Sequence, residues 1–73
     1  MAVIERRAVL DEKIRLLGVE IVNARGAGRI SEAASRLAHS ALEVARQNAG
    51  AGRWDKAEYS LRIAAASLEV TAR

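Results

Sequence analysis

The sequence predicts an all-α protein, a three-helix antiparallel bundle with up-down-up topology. Alanine is abundant and proline is absent among the 73 residues, which favours helices and leaves out their strongest breaker. Apolar residues recur at spacings of three and four, the period of a buried helical face. Two similar glycine-containing stretches interrupt this pattern. They predict one domain over residues 1–73, with helices at about 3–24, 32–49 and 56–72.

The two joints are Gly26-Ala27-Gly28-Arg29-Ile30-Ser31 and Gly50-Ala51-Gly52-Arg53-Trp54-Asp55. Each is predicted to place a glycine just past the end of one helix and to start the next at a capping residue. Ser31 is the predicted N-cap of the second helix. Asp55 is the predicted N-cap of the third, with Glu58 completing a capping box and Trp54 packing on Tyr59 as a hydrophobic staple. Phosphate binding is the alternative for these joints, but neither has the spacing of a phosphate-binding loop.

Each helix carries a main apolar seam that is predicted to form the core. In the first helix the seam is Val3, Leu10, Ile14, Leu17, Ile21 and Ala24. In the second it is Ile30, Ala34, Leu37, Ala41, Val44 and Asn48, flanked by Ala38 and Ala45. In the third it is Ala57, Leu61, Ala64, Ala65, Leu68 and Ala72. Small residues dominate the second seam, so the second helix is predicted to be the central packing element.

The first and third helices each carry a second apolar seam on the opposite side. These seams are Val9, Leu16 and Val19, and Tyr59, Ile63, Ala66 and Val70. A three-helix bundle needs one apolar stripe per helix, so the additional seams predict a contiguous exposed patch that contacts another protein. The alternative is that wide apolar stripes only cover the sides of a small core.

The size of the chain also favours association. A domain of 73 residues cannot bury a large core, and small proteins compensate with disulfides, a metal or association. The chain has no cysteine and one histidine, His39. We therefore predict a non-catalytic protein-interaction module without cofactor or metal. Its expected partners are itself, as a homodimer or small oligomer, and/or another protein.

The net charge of +3 predicts an alternative function. Most helix arginines are predicted to pair with an acid four residues earlier, at 11/15, 32/36, 58/62 and 69/73. The remaining arginines collect at the bundle ends, with Arg6, Arg7 and Arg53 at one end and Arg25 and Arg29 at the other. These residues are candidate anion contacts. They make a small nucleic-acid-binding regulator the alternative, although they do not form the usual basic stripe.

Catalytic and membrane functions have little support in the sequence. His39 is predicted to lie on the outer face of the second helix as a surface histidine, and the serines are scattered. Trp54 beside Arg53 could stack on a base, but a structural role explains it better. No targeting segment or membrane-spanning apolar run is visible. Cytoplasm is the predicted location, since a chain without cysteine fits a reducing compartment.

Residues 41–66 resemble a tetratricopeptide helical hairpin. The residues that carry the resemblance are Ala41, Val44, Ala45, Gly52, Trp54, Ala57, Leu61 and Ala64. Asn48 departs from the pattern, because an aromatic residue is usual there, and the proline that ends a repeat is absent. In outline the chain is also similar to the three-helix microtubule-interacting-and-trafficking domains. Either resemblance implies a module that binds peptides or proteins without catalysis.

Overall fold

The computed structural model confirms the three-helix bundle. It describes the backbone of residues 3–70 and the side chains of residues 5–69. The helices are α1 (Val3–Gly26), α2 (Glu32–Gly50) and α3 (Trp54–Val70), and this part of the chain contains no strand. The bundle measures 40 × 16 × 14 Å. Helix α2 packs on both of its neighbours, and most closely on α3, whereas α1 and α3 contact each other least.

Both joints are turns with the same hydrogen bonds, as predicted. Gly28 and Gly52 have φ angles of 73° and 77°, the left-handed conformation that glycine adopts without steric cost. The N–H of Arg29 donates to the carbonyl of Ala24 at 2.9 Å, and the N–H of Arg53 donates to that of Asn48 at 2.8 Å. These bonds define a Schellman motif, which satisfies the last carbonyls of α1 and α2.

The two helix starts differ. Ser31 caps α2 as predicted, because its hydroxyl accepts the N–H of Ala34 at 3.1 Å. The capping box at Asp55 is wrong, because α3 begins one residue earlier, at Trp54. The carbonyl of Arg53 accepts the N–H of Ala57 at 3.0 Å, which is a hydrogen bond of the first turn of α3. Arg53 is also the last residue of the Schellman motif, so α3 follows the second joint directly. Trp54 is therefore helical, and the hydrophobic staple that depended on its lying before the cap is wrong as well.

The core contributions of α1 and α3 follow the predicted seams. Leu10, Ile21 and Ala24 of α1 are buried, with Ile14 and Leu17 partly buried beside them. In α3 the buried apolar residues are Ala57, Leu61 and Ala64, with Ala65 and Leu68 partly buried. The predicted core residues Val3 and Ala72 lie outside the side chains that the structure describes.

The predicted seam of α2 is wrong at Leu37 and Val44, whereas Ile30, Ala34, Ala38 and Ala45 are buried as predicted. Leu37 is 66% exposed and Val44 is 46% exposed. The buried residues of α2 are Ala34, Ser35, Ala38, Leu42, Ala45 and Ala49. Close approach of α2 and α3 requires small side chains at the contact, so the alanine stripe faces inward and the larger residues are displaced to its edge. The prediction that α2 is the central packing element is confirmed.

The ion pairs also differ in part from the prediction. The pair of Glu32 and Arg36 forms, at 3.5 Å. Asp11 pairs with Arg7 at 3.7 Å instead of with Arg15. Arg15 makes two hydrogen bonds to Glu12, at 2.9 and 2.7 Å. No guanidinium nitrogen of Arg62 lies within 4.0 Å of a carboxylate oxygen of Glu58. Arg73 of the predicted pair at 69/73 lies outside the residues that the structure describes.

Candidate interaction surfaces

A groove of about 420 Å³ runs along the bundle between α1 and α3. Its apolar residues are Leu16 and Leu17 of α1 and Leu61 and Ala65 of α3. Leu16 is 48% exposed, and Leu17 and Leu61 connect the groove to the core. The groove exists because α1 and α3 are the least closely packed helix pair. It offers an apolar strip that the fold itself leaves uncovered.

Four charged residues border this groove, which we call the α1–α3 groove. Lys13 and Glu20 lie on α1, and Glu58 and Arg62 lie on α3. In an up-down-up bundle α1 and α3 run in the same direction. Along this direction the charge changes from positive to negative on α1 and from negative to positive on α3. Lys13 and Arg62 therefore lie at diagonally opposite corners of the groove. Within the described part of the chain, none of the four has an opposite charge within 4.0 Å.

The second seam of α3 lies on a different face, between α2 and α3. Tyr59 and Ile63 line a shallow groove there with Val44 of α2, and the exposed Leu37 lies two turns from Val44 on the same side of α2. Ala66 is also exposed, and the predicted interface residue Val70 lies outside the described side chains. We call Leu37, Val44, Tyr59 and Ile63 the α2–α3 face.

The two second seams therefore do not form one contiguous patch, and that prediction is wrong. Leu16 lines the α1–α3 groove, and Val9 lies two turns earlier on the same side of α1. Val19 is also exposed, one turn from Leu16. Tyr59 and Ile63 point to the opposite side of α3, toward α2. Among the side chains that the structure describes, these residues form two separate apolar surfaces instead of one.

His39 is exposed, as predicted, and lies in a groove between α1 and α2. Glu43 lies one turn further along α2 in the same groove, where Arg7, Arg15 and Arg46 add positive charge. Glu43 is held by Arg46 at 2.9 Å. Among the described residues, no group of three or more acidic, histidine or cysteine side chains is arranged to hold a metal ion.

The predicted anion contacts are divided between the two bundle ends, as expected from the topology. At one end Arg6 lies over the ring of Trp54, 5.9 Å from its centroid, and 4.0 Å from Asp55. These three residues and Arg53 line a pocket of about 440 Å³. The guanidinium of Arg7 lies at the same end, with its Nη2 atom 3.9 Å from the position that a Cβ at Gly50 would take.

At the other end Arg25 pairs with Glu32 at 3.4 Å, while Arg29 is exposed in the joint. The prediction that all five joint arginines are unpaired is therefore wrong for Arg6, Arg7 and Arg25, each of which lies within 4.0 Å of a carboxylate. Tertiary proximity explains the pairs of Arg6 and Arg25, since their acids lie on other helices, Asp55 on α3 and Glu32 on α2. The arginines do not combine into one basic surface.

Sequence reasoning missed Leu37 and Val44 as surface residues. The helical spacing of the alanines at 34, 38, 45 and 49 could have indicated the buried side of α2, because small residues mark the closest contact between helices. None of the helices described is both long and apolar enough to cross a membrane. Comparison with protein-family profiles, curated proteins and solved structures gives no match for this chain.

Proposed function

We propose that this protein is a non-catalytic interaction module that self-associates. One observation carries the proposal: more large hydrophobic side chains are exposed than buried. Among the described residues, those at least 43% exposed are Val9, Leu16, Val19, Val22, Leu37, Val44, Tyr59 and Ile63. The buried ones larger than alanine are only Leu10, Ile21, Ile30, Leu42 and Leu61.

The energetic reason is the composition of the core. Full burial of a large aliphatic side chain stabilises a protein by about 1.5–3 kcal/mol, and an alanine contributes much less. Seven of the twelve buried apolar residues are alanines. Covering the exposed residues against a second chain would add the apolar burial that a core of this size lacks.

The apolar residues also have the arrangement that helix-to-helix contact needs. They lie along the helices and not at the joints. Leu16 lines the α1–α3 groove, and four others form the α2–α3 face. An amphipathic helix docks on such surfaces through residues spaced by three and four. We propose self-association as the main activity, with one surface free for another protein, and the cytoplasm as the location because the chain has no cysteine.

Nucleic-acid binding has less support. Its candidate residues are divided between ends of a bundle 40 Å long, and three of the five have a nearby carboxylate. Phosphate neutralisation depends on basic groups that follow the backbone of the nucleic acid. Binding to duplex DNA that weakens steeply with salt would favour this alternative over the module proposed.

Sedimentation equilibrium over a range of concentrations tests the proposal. We expect a dimer or small oligomer at micromolar concentration, with a melting temperature that rises with protein concentration. Circular dichroism on the same samples reports helix content. A monomer that keeps its full helicity and a concentration-independent melting temperature throughout this range would contradict the proposal.

A further inference from the structure

We infer that the α1–α3 groove binds the same groove of a second copy of this chain, with the two α1 helices antiparallel about a two-fold axis between Leu16 and Leu17. The inference rests on the proposed function, because it names the surface and the partner through which self-association occurs. It is carried by the order of the charges that border the groove and by the apolar strip between them.

The charges make the groove self-complementary. A groove bordered by one sign would repel its own copy, and like charges brought together at an interface are unfavourable. Here the sign alternates along both helices, from Lys13 to Glu20 on α1 and from Glu58 to Arg62 on α3. A two-fold rotation therefore brings opposite charges together. In the described part of the monomer these four groups have no ion-pair partner within 4.0 Å.

The spacing selects the antiparallel arrangement. The midpoint of Lys13 and Glu20 falls between Leu16 and Leu17, with each charge about 5 Å along the helix from it. An antiparallel copy then places Lys13 opposite Glu20 of the second chain and Glu20 opposite its Lys13. Symmetry makes these two pairs identical, so both form in the same register.

A parallel arrangement would pair α1 with α3 of the second copy. Lys13 would then face Glu58, and Glu20 would face Arg62. These charges are seven residues apart on α1 and four apart on α3, which are about 10.5 and 6 Å. The two spacings differ by about 4.5 Å, so the two pairs cannot both lie directly opposite each other, whereas the antiparallel pairs can, and the antiparallel arrangement is favoured.

The apolar strip forms the centre of the contact. In the antiparallel arrangement Leu16, 48% exposed in the monomer, meets Leu16 and Leu17 of the second copy. Leu61 and Ala65 form the adjacent side of the contact. A standard interface buries about 800 Å² on each partner. A contact of this area would extend from the apolar strip along one long face of the bundle, which is 40 Å long.

Charge reversal on α1 tests the arrangement directly. The variants Lys13→Glu and Glu20→Lys each place like charges opposite each other twice in a homodimer. We expect each variant alone to dimerise at least about tenfold more weakly than the natural chain, since juxtaposed like charges suppress association. An equimolar mixture of the two should recover dimerisation as a heterodimer. Energy transfer between differently labelled variants measures this recovery.

The double variant Lys13→Glu/Glu20→Lys separates the two orientations. Antiparallel α1 helices keep opposite charges facing in this variant, so we expect dimerisation close to that of the natural chain. A parallel arrangement would bring like charges together at α3 and weaken dimerisation. Sedimentation equilibrium gives the dimer dissociation constant, and circular dichroism checks that the exposed substitutions leave the helices formed.

Two further variants test the apolar strip. Leu16→Glu is expected to leave a helical monomer, and Ile63→Glu on the α2–α3 face is the matched control that should still dimerise. If the natural chain associates but Leu16→Glu and the charge reversals leave its assembly unchanged, the inference is wrong and the proposed function stands. The inference is also wrong if the mixture fails to recover dimerisation. A monomeric natural chain would contradict the proposed function itself.

Discussion

Gly28 and Gly52 adopt the same left-handed backbone conformation at the same place in two successive joints, with φ angles of 73° and 77°. In both joints the residue after the glycine donates its N–H to a carbonyl five residues earlier. The glycine thus reverses the chain and also satisfies the end of the preceding helix. Two copies of one local structure fold the three helices against each other.

The first prediction compares two glycines of one joint. A Cβ at either Gly26 or Gly28 would have no neighbouring atom within 4 Å, so space does not distinguish them. Gly26 is the last residue of α1, whereas Gly28 has a positive φ. We expect Gly28→Ala to destabilise the fold by about 1 kcal/mol and Gly26→Ala to stabilise it by about 0.5 kcal/mol.

Urea unfolding at one fixed protein concentration measures both variants. The concentration must be fixed because self-association adds to the apparent stability. Equal effects of the two substitutions would contradict the role assigned to the left-handed glycine.

The second prediction concerns the helix starts. Ser31→Ala removes a hydroxyl that accepts the N–H of Ala34, so we expect it to cost about 1 kcal/mol. Asp55 lies inside the first turn of α3 and does not cap it, so Asp55→Ala should lose only the weaker attraction to the helix dipole, about 0.3–1 kcal/mol. Thermal unfolding of the two variants under identical conditions gives the comparison. A larger loss of stability in Asp55→Ala than in Ser31→Ala would support the capping box that the sequence predicted.

The third prediction distinguishes the buried stripe of α2 from its exposed edge. Leu42 is buried, whereas Leu37 is 66% exposed. We expect Leu42→Ala to cost about 2–5 kcal/mol, through lost burial and the cavity left behind. Leu37→Ala should cost much less, because it removes little buried area and creates no cavity. Denaturant unfolding measures both. A larger cost at Leu37 would favour the apolar seam that the sequence predicted.

These differences show which features are encoded locally. The joints and the Ser31 cap could be predicted because their geometry depends on neighbouring residues only. The main seams of α1 and α3 could be predicted because their spacing of three and four in the sequence also marks the buried face, which includes Leu10, Ile21 and Leu61. In α2 the size of the apolar residues and the closeness of helix packing favour different residues as core. Large residues favour Leu37 and Val44 as core, while close packing on α3 favours the alanines.

The separation of the two apolar surfaces depends on tertiary structure. Helical periodicity places Leu16 and Ile63 on particular sides of their own helices, but it does not say which side of α3 faces α1. That choice follows from the handedness with which three helices are arranged around one core. The structure turns Ile63 toward α2 and leaves Leu16 beside α3. The charge pattern of the α1–α3 groove also depends on tertiary structure, since its four charged residues lie on two different helices.

The fourth prediction tests how closely α2 and α3 pack. Ala45 is fully buried in α2, whereas Ala33 is exposed at the start of the same helix. Ala45→Leu inserts three heavy atoms into a contact built from small residues, and we expect it to cost about 1–3 kcal/mol. Ala33→Leu is the control and should be nearly neutral. Thermal unfolding and circular dichroism report the two effects. Tolerance of leucine at position 45 would contradict close packing.

The fifth prediction concerns pH. The hydrogen bonds from Arg15 lower the pKa of the Glu12 carboxyl, and the same contact raises the pKa of Arg15. A lowered pKa in the folded state means that the contact stabilises the fold while Glu12 is ionised. That contribution is lost as the pH falls through the lowered pKa, and it is small because both side chains are exposed.

Arg15→Gln should therefore raise the pKa of Glu12 toward its ordinary value, which a carboxyl NMR titration would measure. Arg15→Lys keeps the charge but loses the two-point contact, so we expect an intermediate pKa. Arg36→Gln is the control, because Arg36 pairs with Glu32 on another helix. An unchanged Glu12 titration in Arg15→Gln would show that the contact does not persist in solution. If Arg36→Gln changed the pKa of Glu12 as much as Arg15→Gln does, the net charge of the protein, and not the hydrogen bonds from Arg15, would set that pKa.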